Sequence, residues 1–590
     1  MLMTTSSKNL TQPDSGIDLT RYVTFLRANS EAYEWLVEKS LAVDPYRKRE
    51  DVLGRVLSAA GCAARFHPGR FADGTLETSA FKIGSELVDP GTEYEDFILP
   101  VPSKKKDHRR VLHVASFVLG VGGHTRMLNH WVRNDQTSYH SLMLLNQGDK
   151  AVPRWLIEAI RSSGGELIVA TSDLPLVKKA KWLRELARVT ADLVVLHTEA
   201  ADVVPVVAFA VHDCPPVVKV NNDDHTFWLG SSVSDMVINT RTAGAELAAN
   251  RRFVSSNMVL PVPLDYPLTM LKKRDARRLL GIAREQIVLL SIGRPEKYRP
   301  SGSFDFVRTA EKILDRHPEA HLYVVGESVS GIAPSLSAPL HKRLHFVGSI
   351  EDPSPYRAAA DVYLESFPFG SQTALLEAAL SALPVVSAYA PLFPLLVAND
   401  DAIQDLIDNP INEQEYIERV SLLIREPQSR TELGTALQKR LSVDHVGNGW
   451  LQRLYGIYQE TDLMTHNPRL IPSTSCSTTE QDIGLSLWHC FWHVSAGRKN
   501  PRTNIHAHDV SVLSHTAYLA KCVGRYSRAR RFAWRTLCRD PYNQTSWRLL
   551  VAALVGRAER PIRQVLRRTV KPWIGLTLTR SLRPKSYSQT

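Results

Sequence analysis

No apolar run in this 590-residue chain approaches the roughly 18 residues that would suggest a membrane span. The opening MLMTTSSKNLTQPDSG lacks the apolar core of a signal peptide. Cysteine is scarce: Cys62, Cys214, Cys476, Cys490, Cys522 and Cys538 are scattered, with no Cys-x-x-Cys. That pattern excludes a disulfide framework and a thiolate metal site, and fits a reducing cytoplasm. No pair of carboxylates is placed to hold a metal, so no metal is expected, and no cofactor is called for. A full G-x-G-x-x-G dinucleotide fingerprint with its ribose-binding acid is also missing. Acid is scarce at one end: Lys521–Thr590 has 17 Lys and Arg against Asp540 and Glu559, a local charge of +15 in a chain whose net charge is +11. The basic character therefore belongs to the tail and says little about the body. No nucleic-acid motif accompanies it, so nucleic acid is not an expected partner.

What is present reads as two alternating strand–helix domains with helical additions at both ends. Residues 1–16 are polar. From Leu19 to Val88, apolar residues such as Tyr22, Phe25, Leu26, Tyr33, Leu36 and Val37 recur at helical spacing, which predicts a helical N-terminal domain over 17–100. His67 and Arg70 in its HPGRF turn read as structural. Past Pro100, Pro102 and a Lys104–Lys106 run, apolar stretches of Val and Ile without alternation predict strands near 111–117, 139–145, 166–170, 193–196, 217–220 and 236–239. Such runs suit a parallel sheet buried on both faces. They give a first Rossmann-like, acceptor-side domain over 108–262. Pro261 and Pro263 mark a linker, and a second Rossmann-like domain follows over 263–461, with strands at 287–292, 321–325, 344–347, 362–364 and 385–386. The fold class is α/β.

Residues 462–482 read as a linker, and 483–590 as a basic helical region. There Gly524, Tyr526, Ala529, Ala533, Leu537, Asp540–Pro541 and Trp547 resemble one tetratricopeptide-like helix pair, which must pack on a neighbour to bury its face. Ile562, Val565, Leu566, Val570 and Trp573 share one helical face with Arg563, Arg567, Arg568 and Lys571 beside it. That pattern suits an anionic membrane surface, or equally a solvated face packed on the body.

Chemistry concentrates where strands end, the edge at which open α/β sheets bind ligands. After the first strand come Gly120, Gly122, Gly123 and His124, a turn that lets another group approach the backbone closely. After the strand ending at Val220 comes NNDDHTFWLG, with Asp223, Asp224 and His225. His225 or His124 suits a general base for an acceptor hydroxyl, because histidine titrates near working pH. As plain structure, the same residues cap a helix or face water. After Ile292, Arg294 and Lys297 stand on a loop, where cations would offset the charge of a leaving diphosphate.

The stretch Asp361–Ser387 organises the rest. It reads DVYLESFPFGSQTALLEAALSALPVVS: a strand, a loop broken by Pro368 and Gly370, then a helix opened by Ser371, Gln372 and Thr373 and stopped by Pro384. The first amides of that helix suit an anion such as a diphosphate. Glu377, one turn in, suits the two hydroxyls of a ribose. An ordinary crossover with a half-exposed Glu377 would look the same.

This stretch resembles the donor-site segment of GT-B glycosyltransferases, in the style of the O-linked N-acetylglucosamine transferases and bacterial relatives. The likeness lies in Phe367-Pro368-Phe369, Thr373, Glu377-Ala378 and Leu383-Pro384-Val385-Val386, and in a Lys-x-x-Pro-Ser run at Lys297-Tyr298-Arg299-Pro300-Ser301. Two positions depart: Gln372 stands where those relatives often have His, and Phe369 where many retaining enzymes have a first Glu. The resemblance implies a cytoplasmic glycosyltransferase, or one peripheral on the inner face of a membrane. It would move a sugar from a nucleotide-diphosphate donor, by family a UDP sugar, to a glycan, lipid-linked or protein acceptor. Gly370, Ser371, Gln372 and Thr373 would seat the diphosphate with Arg294 and Lys297, and Glu377 the ribose. His225, His124, Asp224, Gly122 and Gly123 would serve the acceptor side. The alternatives are another GT-B chemistry, such as a nucleotide-sugar epimerase or polyol-phosphate transferase, and a non-enzymatic scaffold with a degenerate nucleotide site.

Overall fold

A computed structural model describes residues 22–45, 47–87, 108–120, 123–265, 271–298, 304–332, 341–367, 370–389, 403–407, 409–490 and 507–556. Three helices come first: α1 Val23–Leu41, α2 Arg49–Phe66 and α3 Gly74–Ser85. The first sheet domain runs β1 Arg109–Ala115, α4 Gly123–Asn134, β2 Ser138–Leu144, α5 Arg154–Ser162, β3 Leu167–Val169, α6 Leu176–Thr190, β4 Leu193–His197, α7 Val204–Ala208, β5 Val217–Asn221, β6 Met236–Asn239, α8 Thr242–Arg251 and β7 Ser256–Val259. The second runs α9 Lys273–Leu280, β8 Ile287–Ile292, a 3-10 turn at Pro295–Tyr298, α10 Phe306–Arg316, β9 Ala320–Val325, α11 Val329–Ile332, β10 Leu344–Gly348, α12 Ser354–Ala359, β11 Val362–Leu364, α13 Gln372–Leu380 and β12 Val385–Val386. It closes with α14 Glu413–Arg425, α15 Pro427–Asp444 and α16 Gly447–Asp462. Then come α17 Glu480–Cys490, α18 Ala507–Cys522, α19 Tyr526–Leu537 and α20 Gln544–Val555.

The first sheet has the order β3-β2-β1-β4-β5-β6-β7 and the second β10-β9-β8-β11-β12. Every paired strand is parallel. This is the expected pair of Rossmann-like sheets with added helices. The apolar strand runs sit on the predicted residues to within a residue or two, because continuous burial on both faces leaves no alternation to misread. In both sheets the order reverses beside the first strand, so each opens a crevice at its carboxyl edge. One strand, β7, had no sequence signal: Ser256–Val259 is half-buried throughout.

The N-terminal helices do not form a core of their own. Tyr33, Val52 and Leu76 share one apolar cluster with Leu112 and Val114 of β1 and Leu183 of α6. Arg184 of α6, almost wholly buried, fastens this junction by donating to the carbonyls of Gly84 (2.7 Å), Val207 (2.9 Å) and Ala208 (2.7 Å). The expected closing helix is α16. It crosses back to the first sheet, where Trp450, Leu454, Ile457 and Tyr458 are buried against Val111, Val195 and Val218. Burying a side chain such as Leu454 or Ile457 stabilises by about 1.5–3 kcal/mol. The Trp450 indole donates to the Pro261 carbonyl at 2.8 Å, which ties the helix to the interdomain crossing.

Residues 463–479, expected as a linker, are instead a strap laid over the first domain. His466 bridges Asp235 and the Phe209 carbonyl, both at 2.8 Å. Arg469 N–H donates to Ser232 O (2.9 Å), Gly74 N–H to Pro472 O (3.0 Å) and Ser477 N–H to Gly69 O (3.1 Å). Its polar composition serves hydrogen bonding to neighbouring backbone rather than solvation. In α17, Asp482 gathers His67 (2.9 Å), Arg251 (3.1 Å) and Ser477 (2.5 Å).

The chain divides into two compact units, 1–508 and 509–590. In the second, Ala517 of α18, Phe532 and Ala533 of α19 and Leu549 of α20 make a separate core. The helix pair α19–α20 thus finds its required neighbour in α18. The amphipathic pattern at 562–573 and the Lys104–Lys106 run lie outside the described residues. Among the described residues no helix is long and apolar enough to cross a membrane.

Candidate functional site

The donor-side residues converge. Gly370 breaks the chain after β11, Ser371 takes the cap position, and α13 starts at Gln372. The Ser371 hydroxyl does not cap the helix. The cap is Glu365, two residues before the Pro-containing loop, whose Oε1 accepts from Ser371 N–H at 2.6 Å and Ser366 N–H at 3.1 Å. Burial pushes this carboxyl up to about 7, against the pull of Lys297 and those two amides. Lys297, on the 3-10 turn after β8, donates to the Gly370 carbonyl. Gly293 lets the two loops meet: a Cβ there would stand 3.1 Å from both Lys297 Cδ and Ser371 Oγ. Arg294 is exposed on the same loop. Glu365 Oε2 and Gln372 Nε2 are both buried, with no hydrogen-bond partner among the described residues. Pro368, Phe369 and Arg299–Ser301 lie outside those residues.

The first domain meets this seat directly. A Cβ on Gly123, the first residue of α4, would come within 2.9 Å of Thr373 Oγ1. Arg126 of α4 brings Nη1 to 3.5 Å from Glu377 Oε1 across the cleft. Glu377 is buried and also accepts from Arg357 of α12 at 2.8 Å. A carboxylate offers about four lone pairs, so two guanidinium contacts leave capacity for ribose hydroxyls. Gly122 lies outside the described residues.

On the acceptor side, a pocket at the carboxyl ends of β4 and β5 is lined by His124, His197, Glu199, Lys219, Asn222 and Asp223 among others. His124 is half-exposed, with Nε2 at 3.6 Å from Asp223 Oδ1. Lys219 is buried and donates to the Thr198 carbonyl (2.6 Å) and hydroxyl (3.0 Å). Burial lowers its ammonium to about 8, although Asp202, Asp223 and Glu199 support the charge. The other two acceptor-side residues lie elsewhere. Asp224 is buried and clamped by Arg241, Nε at 2.7 Å and Nη2 at 3.0 Å. His225 packs edge-on to Trp488 and stacks on His489, both from α17. Its ring therefore packs on α17, and neither residue lines the pocket. Among the described residues, no group of three or more His, Cys, Asp or Glu is placed to hold a metal.

Sequence reasoning missed Glu365, Arg126, His197 and Lys219. Glu365 and Lys219 did carry a signal, a lone charge at the end of an apolar strand, which is costly unless it is used or paired. Arg126 and His197 had none, since their place depends on domain closure and strand register.

Residues 286–426, spanning β8 to α14, match the family model described as Glycosyl transferases group 1. A D-inositol 3-phosphate glycosyltransferase from Corynebacterium aurimucosum is 26% identical over 227 residues, covering 36% of this chain and 52% of that protein. The chain thus spans about half the length of the curated relative it matches. Among solved structures, Anabaena Alr3699/HepE in complex with UDP and glucose is 18% identical, with a TM-score of 0.44, over 60% of this chain and 100% of that one. A glycosyltransferase from Rickettsia africae is 11% identical, with a TM-score of 0.47, over 60% and 99%. Two parallel sheets facing one cleft, with a Glycosyl transferases group 1 match across the second, are consistent with the double Rossmann arrangement of the GT-B fold.

Proposed function

We propose that this protein is a glycosyltransferase that moves a hexose or N-acetylhexosamine from a nucleotide-diphosphate sugar to a glycan, lipid-linked or protein acceptor, in cell-surface polysaccharide or glycoconjugate synthesis. A UDP sugar is the donor that the Lys297 and Asp361–Ser387 motifs favour. The observation that carries this reading is the convergence of the Lys297 loop, the start of α13 and the Gly123 turn on one cleft. In the reaction an acceptor oxygen attacks the anomeric carbon, and the bond from that carbon to the diphosphate oxygen breaks. The leaving diphosphate gains negative charge. Lys297 and Arg294, with amides at the start of α13, offset it. Glu377 holds the ribose. His124, which lines the pocket beside Asp223, takes the acceptor proton.

One observation favours the scaffold alternative: Ser371 N–H is taken by Glu365, and Glu377 by two arginines. Calorimetric titration with UDP, GDP and CDP separates the two. A glycosyltransferase binds one of these selectively, and Lys297→Ala and Glu377→Ala each weaken binding at least about tenfold, the loss of one charged hydrogen bond. A scaffold binds none.

A further inference from the structure

Four observations single out Glu365. It sits at the end of β11 with no exposure to solvent. Its Oε1 already holds the amide of Ser371, the residue that opens α13, a group a phosphate would use. Its Oε2 is sealed from solvent and meets no donor among the described residues. The amide nitrogen of Gln372, the first residue of α13, is likewise a buried donor that meets no acceptor among the described residues. An ionised oxygen left in that state costs the desolvation of a charge. A protonated one needs only an acceptor, and a phosphate oxygen is an acceptor.

We propose that Glu365 binds the donor as a carboxylic acid: its Oε2–H donates to an oxygen of the nucleotide's diphosphate, so that donor binding takes up one proton. This rests on the donor site proposed above and adds a ligating residue to it. The titratable groups around Glu365 support the direction of the proton. Tyr363 of β11 turns its hydroxyl to the Ile292 carbonyl at 3.3 Å. Tyr298 pairs with Ser291 at 3.2 Å, and Tyr416 of α14 donates to the Glu365 carbonyl at 3.1 Å. Lys297 supplies the positive charge that pulls Glu365 towards ionisation, against the larger effect of burial. A dianionic diphosphate draws on that same ammonium and adds like charge, and both effects favour the neutral acid. The empty protein already holds this carboxyl near 7, so the switch costs little at neutral pH. The balance is simple: one proton leaves the buffer for Oε2, and no covalent bond changes in the nucleotide.

The test is calorimetry on the full chain with UDP-glucose, UDP-N-acetylglucosamine and GDP-mannose. Each is a diphosphate diester whose own charge does not change near neutral pH. Titrations at pH 8 in HEPES and in Tris, buffers of contrasting ionisation enthalpy, count the protons. The expected result is an uptake approaching one proton per nucleotide. Affinity should also be flat below pH 7 and fall by up to about tenfold per unit above it. Glu365→Gln should bind with buffer-independent heat and a flat pH profile, its amide donating in place of the acid. Binding by the wild type with the same heat in both buffers overturns the inference, whether or not the variant folds. Uptake that persists in Glu365→Gln overturns it too. If none of the nucleotides binds the wild type, the donor site itself falls and this assignment with it.

Discussion

At the scale of the residue, the first domain contains a polar chain that its sequence position does not announce. His113 lies on β1, His140 on β2 and His197 on β4, side by side on one face of the sheet. His113 Nε2 is 3.0 Å from His140 Nδ1, and His113 Nδ1 is 3.0 Å from His197 Nε2. His140 Nε2 faces only acceptors, the Asp135 carbonyl at 3.2 Å and carboxylate at 3.3 Å, so it carries a proton. A neutral His140 accepts at Nδ1 from His113 Nε2–H, and His113 at Nδ1 from His197 Nε2–H. Burial holds His113 well below its usual range and His197 down to about 3, so both rings are neutral. All three histidines should therefore be Nε2–H tautomers, ending in a bare Nδ1 on His197. Histidine-labelled NMR, assigned with His113→Asn, His140→Asn and His197→Asn, checks this. An Nδ1–H signal from any of the three would contradict it. At the far end, Asp135 accepts from the Tyr458 hydroxyl at 2.8 Å, which joins the chain to α16. Burial alone would raise Asp135, but His140, Ser138 and Thr137 outweigh it and hold the carboxyl well below its usual range.

At the scale of the element, the strap is the least expected part. Its contact with α3 is close: a Cβ on Gly74 would stand 1.8 Å from the Ile471 carbonyl oxygen, and backbone cannot give way as a flexible side chain can. Asp73 caps the same helix through Thr75 N–H at 2.9 Å and receives the Tyr33 hydroxyl at 2.9 Å, so α3 has little room to shift. Gly74→Ala should lift the strap and cost about 1–3 kcal/mol, the usual range for overpacking. Chemical denaturation measures the loss, and limited proteolysis near 463–479 shows whether the strap has come free. Unchanged stability with an intact strap would mean that the contact is looser than its geometry.

At the scale of the whole molecule, the strap and α17 complete the first unit, while 509–590 carries a core of its own. Asp482 of α17 holds His67 and Arg251, both within the first unit. A chain ending at residue 508 should stay folded and keep its nucleotide affinity. One ending at residue 462 loses these ion pairs and leaves Phe71 and His67 without their α17 neighbours Leu485 and Asp482. It should melt lower or aggregate. Thermal denaturation and nucleotide titration of the two truncated chains test this directly. If the 508 chain fails to fold, the two units depend on each other.

Much of this protein was legible from its sequence. Continuous Val and Ile runs gave the parallel strands, because burial on both faces is written into composition. Pro384, Gly370 and the cations at Arg294 and Lys297 marked the loops at the strand ends, because backbone breakers and charges beside apolar strands are local features. The motif spacing brought the Lys297 loop and the start of α13 together as candidates for one site. Only the tertiary structure decided that Glu365, rather than the Ser371 hydroxyl, caps α13, and that His124 lines the pocket at the ends of β4 and β5 while His225 packs against α17. It also decided that residues 463–479 bind backbone rather than span a gap, and that three histidines from three strands touch. The physical reason is the same in each case. Periodicity and turn chemistry act between near neighbours in sequence. Which charge meets which amide depends on strand register and on the closure of two domains, and both are settled by contacts between residues tens to hundreds of positions apart.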